Sequence, residues 1–285
     1  MTAHRSAPRS ILITGCSSGI GRDAALGLQA RGWRVFASVR NPADIAPLAA
    51  QGLRALHLDY ADQTSIETAL AQVLSDTGGT LDAVFNNGAF AIPGPAEDIS
   101  RDAMRALFEV NFLGPHALNR LVIPVMRRQG GGRIVMCSSV LGLVAAPWRG
   151  AYNASKFAIE GLTDTLRLEL AGSGIHPILL EPGPIRTDFR KNAIRAFERW
   201  VDWESSDRVD EYRAGLLDML YKRGPKYQGK ARFELEPAAC TAKLIRALED
   251  PRPRARYMVT TPTYIAAAMR RLLPARAIDR MVRNA

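Results

Sequence analysis

The chain has 285 residues, enough for one large α/β domain with a substantial core, and its 47% hydrophobic content is ordinary for a globular protein. Its net charge is +10, yet 32 of the 38 basic residues are Arg scattered along the chain, with no Lys/Arg run interleaved with aromatics. That pattern argues against a nucleic-acid groove and for a solvated basic surface that attracts an anionic cofactor. Cys16, Cys137 and Cys240 show no metal-ligand spacing, no stretch reaches about 18 uninterrupted apolar residues, and the opening MTAHRSAPRS has no apolar segment. The expectation is a cytoplasmic protein with no metal, no secretory signal and no membrane span.

Ile11-Leu12-Ile13-Thr14 is a short β-rich run that meets Gly15-Cys16-Ser17-Ser18-Gly19-Ile20-Gly21, after which Ala24, Ala25 and Leu28 recur at helical spacing. Strand, glycine-rich turn and helix form the context of a dinucleotide-binding turn. Glycines let the backbone approach a pyrophosphate, and the helix N-terminus offers N–H groups and a positive dipole end. The next strand, Gly32 to Val39, ends at Arg40. An acid at this position bonds a ribose 2′-hydroxyl, whereas Arg accommodates a 2′-phosphate, so Arg40, helped by Ser17 or Ser18, predicts NADP over NAD.

Leu53 to Leu58 reads as a third strand ending in Asp59-Tyr60, placed to meet an adenine ring. A helix from Thr64 to about Leu74 follows, then a Gly78-Gly79 turn and the strand Leu81 to Phe85, which leads into Asn86-Asn87-Gly88-Ala89. Alternating strands and helices of these lengths predict a doubly wound, Rossmann-type parallel sheet, an α/β fold in one domain, with ligands at the carboxyl ends of the strands. Gly15, Arg40, Asp59, Asn87 and Ser139 all fall at such ends.

Arg133 to Cys137 is a further buried strand, and the residues after Tyr152 keep helical spacing through Leu170. Lys156 then lies one helical turn from Tyr152, where its ammonium is expected to favour the phenolate and tune Tyr152 as a proton donor and acceptor. Ser139, brought back by the intervening loop, is placed to hydrogen-bond the oxygen that Tyr152 protonates.

Past residue 190, Phe197, Trp200, Val201 and Trp203 join Phe189 in an aromatic segment among charges. We read 186–230 as a cover over a hydrophobic pocket lined by Phe90, Leu141, Leu143, Trp148, Phe189 and Trp200, suited to bulky apolar substrates. Glu236-Pro237 opens a helix, and Tyr257-Met258-Val259 is a last strand at the sheet edge. The expected organisation is a disordered tail over 1–9, the sheet domain over 10–262, and a basic amphipathic tail over 263–285 that Pro274 divides into two helices. Docking of this tail on its own subunit or a neighbour is favoured over an interfacial membrane helix.

Taken together, TGCSSGIG, LDYAD, NNGA in place of the usual NNAG, Asn111 of VNFLG, Ser139, YNASK and EPGPIRT resemble the short-chain dehydrogenase/reductase family, over roughly residues 10–190. NNGAF, NFLGPH, the run from Ser138 to Leu170 and the ERW segment look like a bacterial group of NADP-dependent aldehyde reductases. More distantly, the chain is similar to 17β-hydroxysteroid and retinol dehydrogenases. The resemblance implies that Tyr152 is general acid in reduction and base in oxidation, while Ser139 polarises the carbonyl. It also implies that Lys156 holds the nicotinamide ribose and lowers the Tyr152 pKa, and that Asn111 supports a water-linked relay to Lys156. Gly88, Pro182, Gly183, Ile185 and Thr187 would contact the cofactor, and a homodimer or homotetramer is implied. The expected function is NADP(H)-dependent interconversion of an aldehyde or ketone with its alcohol. Two alternatives stay open: a steroid- or retinol-type oxidation, and a non-catalytic NADPH-sensing protein.

Overall fold

A parallel sheet is joined by crossover helices that cover both its faces, so its strands carry apolar side chains on both sides. The computed structural model describes residues 8–221 and 233–283 and contains such a sheet. Its strands are β1 (Ser10–Ile13), β2 (Arg34–Val39), β3 (Arg54–His57), β4 (Ala83–Asn86), β5 (Gly132–Cys137), β6 (Ile175–Glu181) and β7 (Arg256–Met258). They lie in the order β3-β2-β1-β4-β5-β6-β7, and every neighbouring pair is parallel. The order reverses between β1 and β4, where Leu12 lies opposite Val84, and in open sheets of this kind ligands bind beyond the strand ends at such a switch point.

The helices are α1 (Gly19–Gln29), α2 (Ile45–Ala49), α3 (Gln63–Thr77), α4 (Arg101–Phe108), α5 (Gly114–Arg128) and α6 (Gly150–Glu169). They continue with α7 (Phe189–Trp200), α8 (Val209–Glu211), α9 (Leu217–Tyr221), α10 (Ala238–Glu249), α11 (Thr261–Leu272) and α12 (Ala275–Arg283). The two-residue period of the strands sorts their side chains between the faces. Ile11, Ile13, Phe85, Val135 and Leu180 pack with Leu28 of α1 and Leu244 of α10 on one face. Leu12, Val84, Ile134 and Leu179 pack with Ile66 of α3, Val122 of α5 and Ile159 of α6 on the other. A third cluster lies outside the sheet, where α7 and α9 fold over the region following β4 and bury Phe197, Tyr212, Leu216 and Leu220.

The expected elements are present with shifted ends. α3 runs on to Thr77 because Gly78, at φ 67, takes the left-handed cap that ends the helix. In the tail Pro274 separates α11 from α12, and the two behave differently. Arg270 ties α11 to the domain, donating from Nη1 to the Leu143 carbonyl at 2.9 Å and lying over the Phe157 ring at 4.7 Å. α12 buries no residue, and its Met281 (51%) stays exposed. Docking on the same subunit is thus seen for α11 and not for α12. No helix among the described residues is long and apolar enough to cross a membrane.

Tyr60, expected to face adenine, is instead buried in the sheet. Its hydroxyl donates to Asn86 Oδ1 at 2.6 Å and lies 2.8 Å from Thr14 Oγ1, and its ring packs against Gly88 and Gly114. Tyr60→Phe leaves both partners without their bond in a dry site, so it should lower unfolding stability by about 1–3 kcal/mol. Chemical denaturation checks this.

Candidate active site

The glycine-rich turn leaves β1 at the switch point. Gly15 (φ +68) and Gly19 (φ +56) adopt the left-handed conformation, and a Cβ on Gly15 would come within 2.8 Å of Gly88 Cα. A Cβ on Gly21 would meet the Gly15 carbonyl oxygen at 2.4 Å. α1 starts here with Ser18 at its N-cap, no capping bond from the Ser18 side chain and no acid in its first turn. Its amide groups and dipole end are therefore free of a competing anion from its own sequence. Thr187, from the loop after β6, lies over the turn, since a Cβ on Gly19 would touch Thr187 Cγ2 at 2.9 Å. This cradle is shaped for a pyrophosphate group, and the residues present fit a dinucleotide.

The residues expected around the cradle fall at neighbouring strand ends. Arg40 follows β2, is exposed, and makes no ion pair among the described residues; its carbonyl lies 3.0 Å from His57 Nε2. Asp59 follows β3 and accepts from the Ala61 N–H at 3.0 Å. Asn87 follows β4 and ties it to the turn, donating from Nδ2 to the carbonyls of Thr14 at 2.9 Å and Gly15 at 3.2 Å. The Pro182 carbonyl accepts from Val140 N–H at 2.8 Å, which joins the loop after β6 to the Ser139 loop. Gly183 packs on Thr260, whose Oγ1 a Cβ would meet at 2.1 Å. Ile185 forms a single parallel bridge with Leu235.

Ser139 follows β5 and accepts from the Leu141 N–H at 3.1 Å, starting a turn over Val140–Gly142. Tyr152 and Lys156 occupy consecutive turns of α6, both buried. Lys156 Nζ donates to the Cys137 carbonyl at 2.7 Å and lies 5.5 Å from the Tyr152 ring centroid, tying α6 to the strand that delivers Ser139. The expected downward tuning of Tyr152 by Lys156 is not what the protein alone does. Burial pushes the phenol well above its ordinary range, with a hydrogen bond to Ser139 acting against it, and burial also lowers Lys156.

Asn111 sits in the π-helical turn Glu109–Leu113 between α4 and α5, a distortion that turns its side chain inward. Its amide donates to the Phe90 carbonyl at 2.8 Å and Ser155 Oγ at 3.1 Å, and it accepts from Phe90 N–H at 3.0 Å. The side chain therefore pins the segment after β4 to α6 and does not reach Lys156. The expected pocket residues divide in two. Leu141 and Phe189 pack with Tyr152, the Phe189 ring 5.5 Å from the Tyr152 ring. Phe90, Trp148 and Trp200 pack with the buried core of the cover. Of the expected cover, residues 222–230 lie outside the described residues.

Residues 9–197 match the family described as short chain dehydrogenase. The chain belongs to that family. As a short-chain dehydrogenase it is an oxidoreductase, and its similarity to curated relatives spans most of its length. It is 40% identical over 276 residues to "Uncharacterized oxidoreductase YbbO" of Escherichia coli strain K12, covering 97% of this chain and 94% of that one. To human 17-beta-hydroxysteroid dehydrogenase type 1 it is 31% identical over 267 residues, 88% of this chain and 77% of that one. A short-chain dehydrogenase structure from Streptomyces avermitilis superimposes with a TM-score of 0.77 at 25% identity, covering 98% of this chain and 96% of that one.

Sequence reasoning missed a carboxylate cluster behind the short-chain dehydrogenase site. Arg256 of β7 donates to Glu181 Oε1 and Asp164 Oδ2, both at 2.6 Å, and to Glu160 Oε2. Glu160 is one turn from Lys156, and Glu181 directly precedes Pro182. Only the EPG triplet and the helical spacing from Lys156 hinted at it. Burial and the neighbouring Glu160 charge push the Glu181 carboxyl up to about 7 against the pull of Arg256. A carboxyl raised on folding stabilises fully below its unfolded pKa, and that contribution is lost as pH rises through the folded value. Wild-type stability should therefore fall between about pH 5 and 8 by a component that Glu181→Gln removes, read as a flatter slope of Tm against pH.

Proposed function

We propose that this chain is an NADP(H)-dependent reductase that converts an apolar aldehyde or ketone to its alcohol. The observation that carries the reading is the meeting of Ser139, Tyr152 and Lys156 beside a glycine cradle at the switch point of the sheet. Gly15, Ser17, Ser18, Gly19, Ile20 and Gly21 would hold the pyrophosphate, Arg40 the 2′-phosphate, and Asp59 the adenine edge. Lys156 and the loop from Pro182 to Thr187 would hold the nicotinamide half. When bound, NADPH supplies the hydride.

The chain's own residues supply orientation and the proton. Ser139 Oγ donates to the carbonyl oxygen and draws electron density toward it, and Tyr152 Oη delivers a proton to the same oxygen. Burial holds the phenol in its protonated form, the form that donates in the reductive direction. A sensor that only binds NADPH has no use for a proton donor beside its cradle. The aromatic and aliphatic side chains Leu141, Trp148, Phe189 and Trp200 support an apolar substrate and exclude water from the reacting carbon.

The test is NADPH consumption by the purified protein against aliphatic, aromatic and steroidal carbonyls, with NADH in parallel. Tyr152→Phe should lower kcat by about 10²–10⁴-fold, and comparable turnover in the variant would remove Tyr152 as donor. Arg40→Asp should weaken NADPH much more than NADH in a direct binding titration, because the guanidinium is expected to meet the 2′-phosphate. An unchanged preference would take Arg40 out of the phosphate site.

A further inference from the structure

Three arginines of the cover have carboxylate partners. Arg208 pairs with Glu211 and Glu97, Arg213 with Asp210, and Arg186 with Glu234 and Glu236. Arg149 is different. It precedes α6 directly, three residues before Tyr152, and its half-buried guanidinium meets no carboxylate among the described residues. Nη1 donates to the Trp148 carbonyl at 3.2 Å, and Nη2 lies 3.9 Å from Met219 Sδ of α9. The charge that acts on it is a like one, Arg190, the neighbour of the Phe189 that packs on Tyr152. The stretch 222–232 supplies no acid either, since its sequence contains no Asp or Glu.

The backbone that presents this cation is itself strained. Trp148 has φ 64, a conformation that side chains other than glycine adopt at a cost of about 1–3 kcal/mol. Its carbonyl accepts from both the Gly94 N–H at 3.0 Å and Arg149 Nη1, so the strained residue fixes the guanidinium in place. A cation withdrawn from water beside a like charge is costly unless an anion completes it. Burial and Arg190 both lower its pKa, the reverse of the ion-paired Arg208 and Arg256.

The placement says where such an anion would come from. Lys156 lies one turn C-terminal to Tyr152 and bonds the end of β5, whereas Arg149 lies N-terminal to Tyr152 and reaches Met219 of α9. Three residues of helix separate Arg149 from Tyr152 by about 4.5 Å along the axis. A 2-oxo acid carries its carboxylate on the reacting carbon itself, whereas an oxo acid with an apolar chain between its two ends can fill both positions. We propose that Arg149 anchors the carboxylate of such a chain, so that the substrates are oxo acids whose carbonyl lies several methylenes from the acid group. The planar guanidinium matches a carboxylate in a two-bond fork, and the apolar cover takes the methylenes. This inference rests on the reductase reading for the reaction, but its binding component stands apart from turnover.

Two measurements test it. Azelaic semialdehyde and its methyl ester are compared as substrates with NADPH, and nonanoate and nonanol are titrated calorimetrically into protein saturated with NADP⁺. The wild type should favour the acid over the ester in kcat/KM by about tenfold or more, the size of one charge-assisted hydrogen bond. Arg149→Gln should bring that ratio toward one and weaken nonanoate by a similar factor without the same loss for nonanol, and Arg149→Lys should keep part of the preference. Equal use of acid and ester by the wild type, or nonanoate binding that Arg149→Gln leaves unchanged, overturns the proposal. Arg149-dependent nonanoate binding with no turnover of either aldehyde supports the carboxylate site and counts against the reductase reading. The acid-to-ester comparison in the wild type decides the matter even where Arg149→Gln does not fold.

Discussion

One hydroxyl, Thr14 Oγ1, holds the point where the sheet reverses. It accepts from the Asn87 N–H at 2.9 Å and the Gly88 N–H at 3.1 Å, which uses its two lone pairs, and it lies 2.8 Å from Tyr60 Oη. Tyr60 gives its own proton to Asn86 Oδ1, so the proton between Thr14 and Tyr60 belongs to Thr14. Asn86 passes the chain on, donating from Nδ2 to Asn119 Oδ1 at 3.0 Å. Every donor thus finds an acceptor from the glycine turn across to α5, and a buried chain of this kind is stiffer than its separate bonds. The cradle for the cofactor, the exit of β4 and the packing of α5 all hang from it.

That chain also shows what a sequence hides. β1, the glycine turn and α6 were legible because their signals are local: a doubly buried apolar run, glycines where the backbone turns left-handed, and a 3.6-residue period around Tyr152 and Lys156. Tyr60 was misread because its fate is set by residues 46 and 26 positions away, Thr14 and Asn86. The partners of Asn111, Phe90 and Ser155, are tertiary, and no spacing announces that a π-helical turn will aim it at them. The sign of the Tyr152 shift was missed for a related reason. Helical spacing brings an ammonium near a phenol, but spacing does not reveal that both will be dry, and desolvation outweighs the attraction.

The chain's excess of arginine acquires a structural meaning when its partners are followed. Arg256 gathers Glu160, Asp164 and Glu181, which joins the edge strand, α6 and the end of β6 in one ionic node. Two guanidiniums, Arg256 and Arg167, which also pairs with Asp164, face these three carboxylates directly. The raised pKa values of Glu160 and Glu181 fit a proton held between them. Such a node gains little as ion pairing and much as geometry, since its members cannot separate without exposing an unpaired charge. Arg270 does a lighter version of this task from α11, holding the Leu143 carbonyl just beyond the Ser139 turn. Acid is thus concentrated around Arg256, while Arg149 meets no carboxylate among the described residues.

Burial moves Tyr152 toward the neutral phenol and Lys156 toward the neutral amine, so the dry surroundings of the pair disfavour separated charge there. What keeps the phenol buried is not the Ser139, Tyr152, Lys156 set itself but the cover, through Phe189 against the Tyr152 ring and Leu141 beside it. The dryness around the Tyr152 hydroxyl is therefore a property of the α7 segment as much as of α6.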